Sequence, residues 1–117
     1  MFMEQKRTLS LLVDNTPGLL SRVAGLFSRR GYNIETITAG VTADPRYTRM
    51  TVVLYCSDEM ILEQIKKQLA KLVDVRDIKE LKPDESVRRE LMLVKIRVNE
   101  NERRNVIAIS DVFRGRI

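Results

Sequence analysis

Residues 7–40 read RTLSLLVDNTPGLLSRVAGLFSRRGYNIETITAG, and the organisation of the whole chain follows from this stretch. Residues 7–13 are short, apolar and closed by an Asx-Pro-Gly turn, which predicts a buried strand. Leu20, Val23, Ala24 and Phe27 follow at helical spacing, Leu19 and Leu26 widen the stripe, and Gly31 supplies a stop. Asn15 or Thr16 is placed to cap this helix, with Pro17 at its first position, where a missing N–H costs nothing. Beyond Gly31, Ile34, Thr36 and Thr38 alternate against Glu35, Ile37 and Ala39, a second strand with an expected bulge at Gly40.

Working outward, Asp44-Pro45-Arg46 is a hairpin loop, and YTRMTVVLYC (47–56) is a third strand rich in β-branched residues. Ser57 or Asp58 caps a second helix striped by Leu62, Ile65, Leu69 and Leu72. Residues 73–81 alternate Val73, Val75 and Ile78 with charges, a fourth, solvent-facing strand. The order β-α-β-β-α-β over 7–82 predicts an α+β ferredoxin-like sandwich, a four-stranded antiparallel sheet with two helices on one face. A charged, proline-bearing linker is expected at 83–88. In 89–117, LMLVKIRV reads as a strand, NENERRN as a polar turn and VIAISDVFRG as a helix with a glycine stop. This loosely repeats the opening of the chain. One strand and one helix cannot bury their own apolar face, so the second unit reads as a truncated domain.

The composition narrows the chemistry. The 117 residues are 44% hydrophobic and 32% charged, ordinary for a soluble globular protein. There is one cysteine, Cys56, and no histidine, which excludes an internal disulfide, Cys/His zinc sites and the Ser-His-Asp and Cys-His catalytic arrangements. Cys56 lies in an apolar run and reads as a small buried hydrophobe. Asp14, Asp44, Asp58 and Glu59 sit where caps and turns want acidic residues. The chain does not read as an enzyme. The net charge of +5 raises nucleic acid as a partner, but Arg22, Arg29, Arg30, Lys66, Lys67 and Lys71 fall on polar helix positions and read as solvated faces. An RNA-recognition module shares the β-α-β-β-α-β order and stacks bases on strand aromatics. The first strand has none, and the third has only Tyr47 and Tyr55 without that module's motif. No apolar run approaches the roughly 20 residues of a membrane helix, and no signal or transit peptide is legible. The expectation is a cytoplasmic protein with no nucleic-acid or membrane partner.

Asn15 and Asn33 bracket the first helix. Gly18 puts no side chain over the first turn, so backbone amides stay open to a carboxylate or phosphate. Within one chain the two asparagines are a helix apart. If two chains pair antiparallel through the second strand, the Asn15 loop of one faces Asn33 of the other. That pairing offers oxygens to an ammonium, amides to a carboxylate, and Leu19, Leu20 and Ile34 to an apolar side chain. These groups complement a free α-amino acid.

Residues 7–82 resemble an ACT domain, the small-molecule-sensing module of amino-acid metabolism. The motifs are N-x-x-G-x-L-S-R-V at Asn15–Val23, G-L-F-S-x-R-G-Y-N-I-E at Gly25–Glu35, T-R-M-T at Thr48–Thr51 and L-E-Q-I-x-K-Q-L-x-K-L-V-D-V at Leu62–Val75. With R-E-L-M-L-V-K-I at Arg89–Ile96 and F-R-G at Phe113–Gly115, nearly the whole chain is similar to the small regulatory subunits of acetolactate synthase. The resemblance implies a homodimer binding valine or a related branched-chain amino acid at its interface. It implies effector contacts from Asn15, Gly18, Ser21, Asn33 and Ile34, with Pro17, Leu19 and Leu20 lining the site. It also implies a catalytic subunit as partner. Thiamine diphosphate, Mg and FAD would belong to that subunit, leaving no cofactor in this chain. The family continues past the terminal F-R-G into the rest of a second ACT-like domain.

Overall fold

A computed structural model describes residues 5–117. The elements run β1 (Lys6–Asp14), α1 (Leu19–Arg29), β2 (Ile34–Val41), β3 (Tyr47–Tyr55), α2 (Glu59–Ala70), β4 (Val75–Glu80) and α3 (Glu100–Val112). The first six form one antiparallel sheet in the order β2-β3-β1-β4 with α1 and α2, the ferredoxin-like arrangement the sequence predicts.

The core follows from period-two alternation in the central strands. Leu9, Leu11 and Val13 of β1 point to one face, opposite Val52, Met50 and Thr48 of β3, and all are buried. The same cluster takes in Leu19, Val23, Leu26 and Phe27 of α1 and Leu62, Ile65 and Leu69 of α2. Both helices therefore cover one face of the sheet. Cys56 joins this cluster as a buried hydrophobe, its Sγ near the Asp58 carbonyl at 3.2 Å.

Four local expectations are corrected. The bulge in β2 lies between Ile34 and Thr36, where Glu35 drops out of register, and Gly40 stays paired with Arg49. One extra residue resets the alternation, so Ile34 and Ile37 both pack on the core. The fourth strand starts at Val75, and Val73 is 86% exposed. The chain turns there, with the Val75 amide bonded to the Leu72 carbonyl, before it can join a ladder. Residues 91–98 form no strand. A strand exists only in a ladder, and among the described residues no segment pairs with this run. The helix after it begins at Glu100, earlier than expected, because Asn99 and Glu102 close a reciprocal capping box.

Residues 89–117 stand away from the sheet module. Leu91 and Leu93 are each 92% exposed, and no residue of α3 is buried. The Cα radius of gyration, 18.6 Å, exceeds the roughly 13 Å of a compact chain this long.

Candidate functional site

The loop from β1 into α1 is where the structure departs most from the expected capping. Gly18 occupies the N-cap position with φ of 78°, and no side chain caps the helix. Asn15 is turned the other way. Its amide Nδ2 donates to the Pro45 carbonyl at 3.2 Å, its Oδ1 accepts from the Thr48 hydroxyl at 3.2 Å, and its backbone N–H donates to Arg46. Thr16 donates instead to Asp74 at 3.0 Å, and Pro17 lies in the turn before the helix. The cap expectation fails because the β2–β3 hairpin and the α2–β4 turn compete for both side chains.

A helix without a side-chain cap leaves amides to be satisfied. The Leu20 and Ser21 N–H groups find no acceptor among the described residues, and no acidic side chain occupies the first turn. Leu20 and Ser21 line a groove of ≈ 700 Å³ between the start of α1 and the far half of β2, the edge strand. Asn15, Thr16, Gly18, Leu19, Leu20, Ser21 and Ala24 form one side. Ala39, Gly40 and Val41 form the other, with Thr48 and Met50 from β3. None of these side chains titrates, so the groove can hydrogen-bond and make apolar contacts but has no acid or base. At Gly40 the wall is bare: a Cβ there would touch nothing within 4 Å.

At the other end, α1 stops in a Schellman motif. The Gly31 amide donates to Ser28, the Tyr32 amide to Phe27, and the Tyr32 and Phe27 rings meet edge to face at 6.4 Å. This fixes where Asn33 and Ile34 leave the helix. Neither lines the groove; Asn33 is exposed and Ile34 half-buried. The 11 residues of α1 separate them from Asn15 by roughly 16 Å of helix axis. Of the eight expected site residues, Asn15, Gly18, Leu19, Leu20 and Ser21 come together, Pro17 is adjacent, and Asn33 and Ile34 are remote within one chain.

Charged groups near the loop are held in pairs. Asp14 takes two bonds from Arg76 at 2.8 Å, and these hold its carboxyl below the usual carboxylate range. Asp44 is held low in the same way by Arg46. At the opposite end of β1, away from the loop, Glu59 is held low by Arg7, which also grips Glu80. Arg22, expected as a solvated charge, instead donates through Nε to the buried carboxylate of Asp74 at 2.7 Å. On the helix-free sheet face, Tyr47 stacks with Arg46 and Tyr55 with Lys6, at opposite ends of β3.

Residues 9–77 match the AHAS (acetohydroxyacid synthase) small subunit-like ACT domain, and residues 89–117 match the family described as small subunit of acetolactate synthase. The chain belongs to the acetolactate synthase small-subunit family. It is 49% identical over 110 residues to a probable acetolactate synthase small subunit of Methanothermobacter thermautotrophicus, covering 93% of this chain and 65% of that one. It is 51% identical over 112 residues to the acetolactate synthase isozyme 3 small subunit of Salmonella typhimurium, covering 96% and 68%. Among solved structures, the acetolactate synthase small subunit of Thermotoga maritima superposes with a TM-score of 0.79 at 31% identity, over 97% of this chain and 70% of that one. The chain thus spans about two thirds of the length of its curated relatives. In the family's ACT fold, the groove residues that sequence reasoning missed are Thr16, Ala24, Ala39, Gly40, Val41, Thr48 and Met50. Only Gly40 carried a signal, a glycine inside a strand pattern, which the sequence reads as a bulge rather than as a groove wall.

Proposed function

We propose that this chain is the non-catalytic regulatory subunit of acetolactate synthase, binding a branched-chain amino acid, valine first, between two copies of its ACT module. The observation that carries the reading is the groove itself: free helix-start amides, no titratable side chain, and one wall made by an exposed edge strand. The amides suit a carboxylate, and Leu19, Leu20 and Val41 suit a branched aliphatic side chain. One chain alone leaves the groove open beyond the edge strand β2. Pairing β2 antiparallel with β2 of a second copy about its centre sets Ile34 of one chain opposite Val41 of the other. Asn33 and Ile34 of the second copy then close the groove near Asn15. A ligand bridging two chains favours one dimer arrangement, and that preference, worth about 1–3 kcal/mol, is sufficient to couple binding to a catalytic partner. In this reading the bond-making, with thiamine diphosphate, Mg and FAD, belongs to the catalytic subunit, whose activity this chain raises and makes valine-sensitive.

Calorimetric titration with valine, leucine and isoleucine tests the binding. The unmodified chain releases heat with at least one, and Asn15→Ala and Asn33→Ala each weaken it. In the mixed dimer formed by combining the two single variants, one interface site is intact and the other is lost. A folded dimer that binds none of the three amino acids overturns the reading.

A further inference from the structure

Asp74 is the most buried acidic side chain of the sheet module, 6% exposed, and it does not line the groove. It nevertheless gathers the loop that does. Oδ1 accepts from the Thr16 hydroxyl at 3.0 Å, Oδ2 from Arg22 Nε at 2.7 Å, and the Asp74 carbonyl from the Asp14 amide at 2.8 Å. Arg22 Nη2 closes the triangle on the Thr16 hydroxyl at 3.2 Å. The guanidinium also lies against Gly18, where an added Cβ would stand 3.0 Å from Arg22 Nη1. The middle of the loop and the first turn of α1 are therefore fastened to one carboxylate in the turn between α2 and β4, and the strand end before the loop to the main-chain carbonyl of the same residue. No side chain on α1 caps its own start, so the helix start is held from outside, by Asp74 on one side and by the Asn15 bonds to the β2–β3 hairpin on the other.

We propose that Asp74 is the positioning residue of the groove, setting its ligand affinity through Thr16 and Arg22 without touching the ligand, and making the α2–β4 turn the point through which the rest of the module tunes the site. The inference rests on the reading of the groove as an amino-acid site, and deepens it by naming how that site is regulated. Charge-assisted bonds in a partly dry setting are the strong ones, so removing one should misplace the amides. A mere stability role predicts something different: a lower melting temperature with unchanged affinity in the folded fraction.

The test uses the full chain with valine as probe in calorimetry, and the backbone amide spectrum of the unliganded protein as a second reading. Asp74→Asn keeps the shape but loses the ion pair, and Arg22→Met removes a half-exposed arm; each is expected to weaken valine binding about tenfold. The double variant should be no worse than the poorer single, because both act through one contact. Without ligand, the amide signals of residues 16–21 shift in both variants while those of β3 residues 50–54 stay. Leu69→Val serves as the control, lowering the melting temperature with affinity intact. If Asp74→Asn and Arg22→Met bind valine like the parent, or if the residue 16–21 signals do not move, the positioning role is overturned. If the parent chain itself binds no branched-chain amino acid, the reading of the groove falls, and the amide spectrum still decides whether Asp74 sets the loop.

Discussion

Two regions of this chain are written alike and end in opposite environments. Residues 7–29 run from an apolar segment through an Asx-bearing turn into a helix, and residues 91–112 do the same. In the first, Leu9 and Leu11 are wholly buried; in the second, Leu91 and Leu93 are 92% exposed. The difference lies in neighbours. β1 has β3 on one edge and β4 on the other, with two helices over its apolar face, whereas residues 91–98 have no strand beside them among the described residues. Hydrophobicity offers burial, and only a partner surface realises it.

The largest effect expected of a substitution tests that contrast directly. Leu11→Ala should destabilise the sheet module by about 2–5 kcal/mol in denaturant unfolding, as a fully buried leucine does. Leu91→Ala should change it by less than about 0.5 kcal/mol, as an exposed one does. Comparable losses at both positions would break the comparison, by showing that residues 91–98 pack somewhere in solution.

Next comes the start of α1. Gly18→Ala forces a side chain into a left-handed conformation and towards Arg22, and should cost about 1–2 kcal/mol in chemical unfolding. Gly40→Ala, in open space, should leave stability within about 0.5 kcal/mol while narrowing the groove. The two glycines thus separate a backbone requirement from a space requirement.

The second region has its own local device, the Asn99–Glu102 capping box. Asn99→Ala should remove about 1 kcal/mol from α3, seen as lost helical circular dichroism, while the unfolding midpoint of the sheet module stays put. A shift of that midpoint would show that α3 contributes to the module's stability.

The smallest effect is electrostatic. Asp14 titrates below the ordinary carboxylate range because Arg76 bonds its charged form, so its contribution is complete above the unfolded-chain pKa and fades as pH falls through the folded one. Asp14→Asn should flatten the acid limb of a stability–pH curve below about pH 4 and leave neutral stability nearly unchanged, since exposed pairs contribute little. A loss as large at pH 7 as at pH 3 would argue that the hydrogen-bond geometry matters more than the charge.

Much of this was legible in the chain. Period-two and helical spacing located all six elements of the sheet module, and the Asp58 cap and Gly31 stop stand where the sequence places them. The site was half legible. Asn15, Gly18 and Leu19 to Ser21 converge because they are neighbours in sequence on one loop and one helical turn. Ala39 to Val41 escaped because the groove is made by β2 lying beside α1, and nothing in an Ala-Gly-Val run says which helix it will face. The β2 bulge escaped for a related reason: Glu35 leaves the register under the pull of two isoleucines towards one core, a choice made across strands.

By itself, then, the sequence determined the elements, their order and the apolar face of each, because those depend on near neighbours and on the geometry of a single helix or strand. Tertiary structure alone decided what each polar side chain would hold. Asn15, Thr16 and Arg22 all lie in one short stretch able to cap or solvate a helix. They were claimed instead by Pro45, Thr48 and Asp74, residues 30 to 58 positions away along the chain. A hydrogen bond goes to whichever partner the fold brings within about 3 Å, and distance along the chain does not record that.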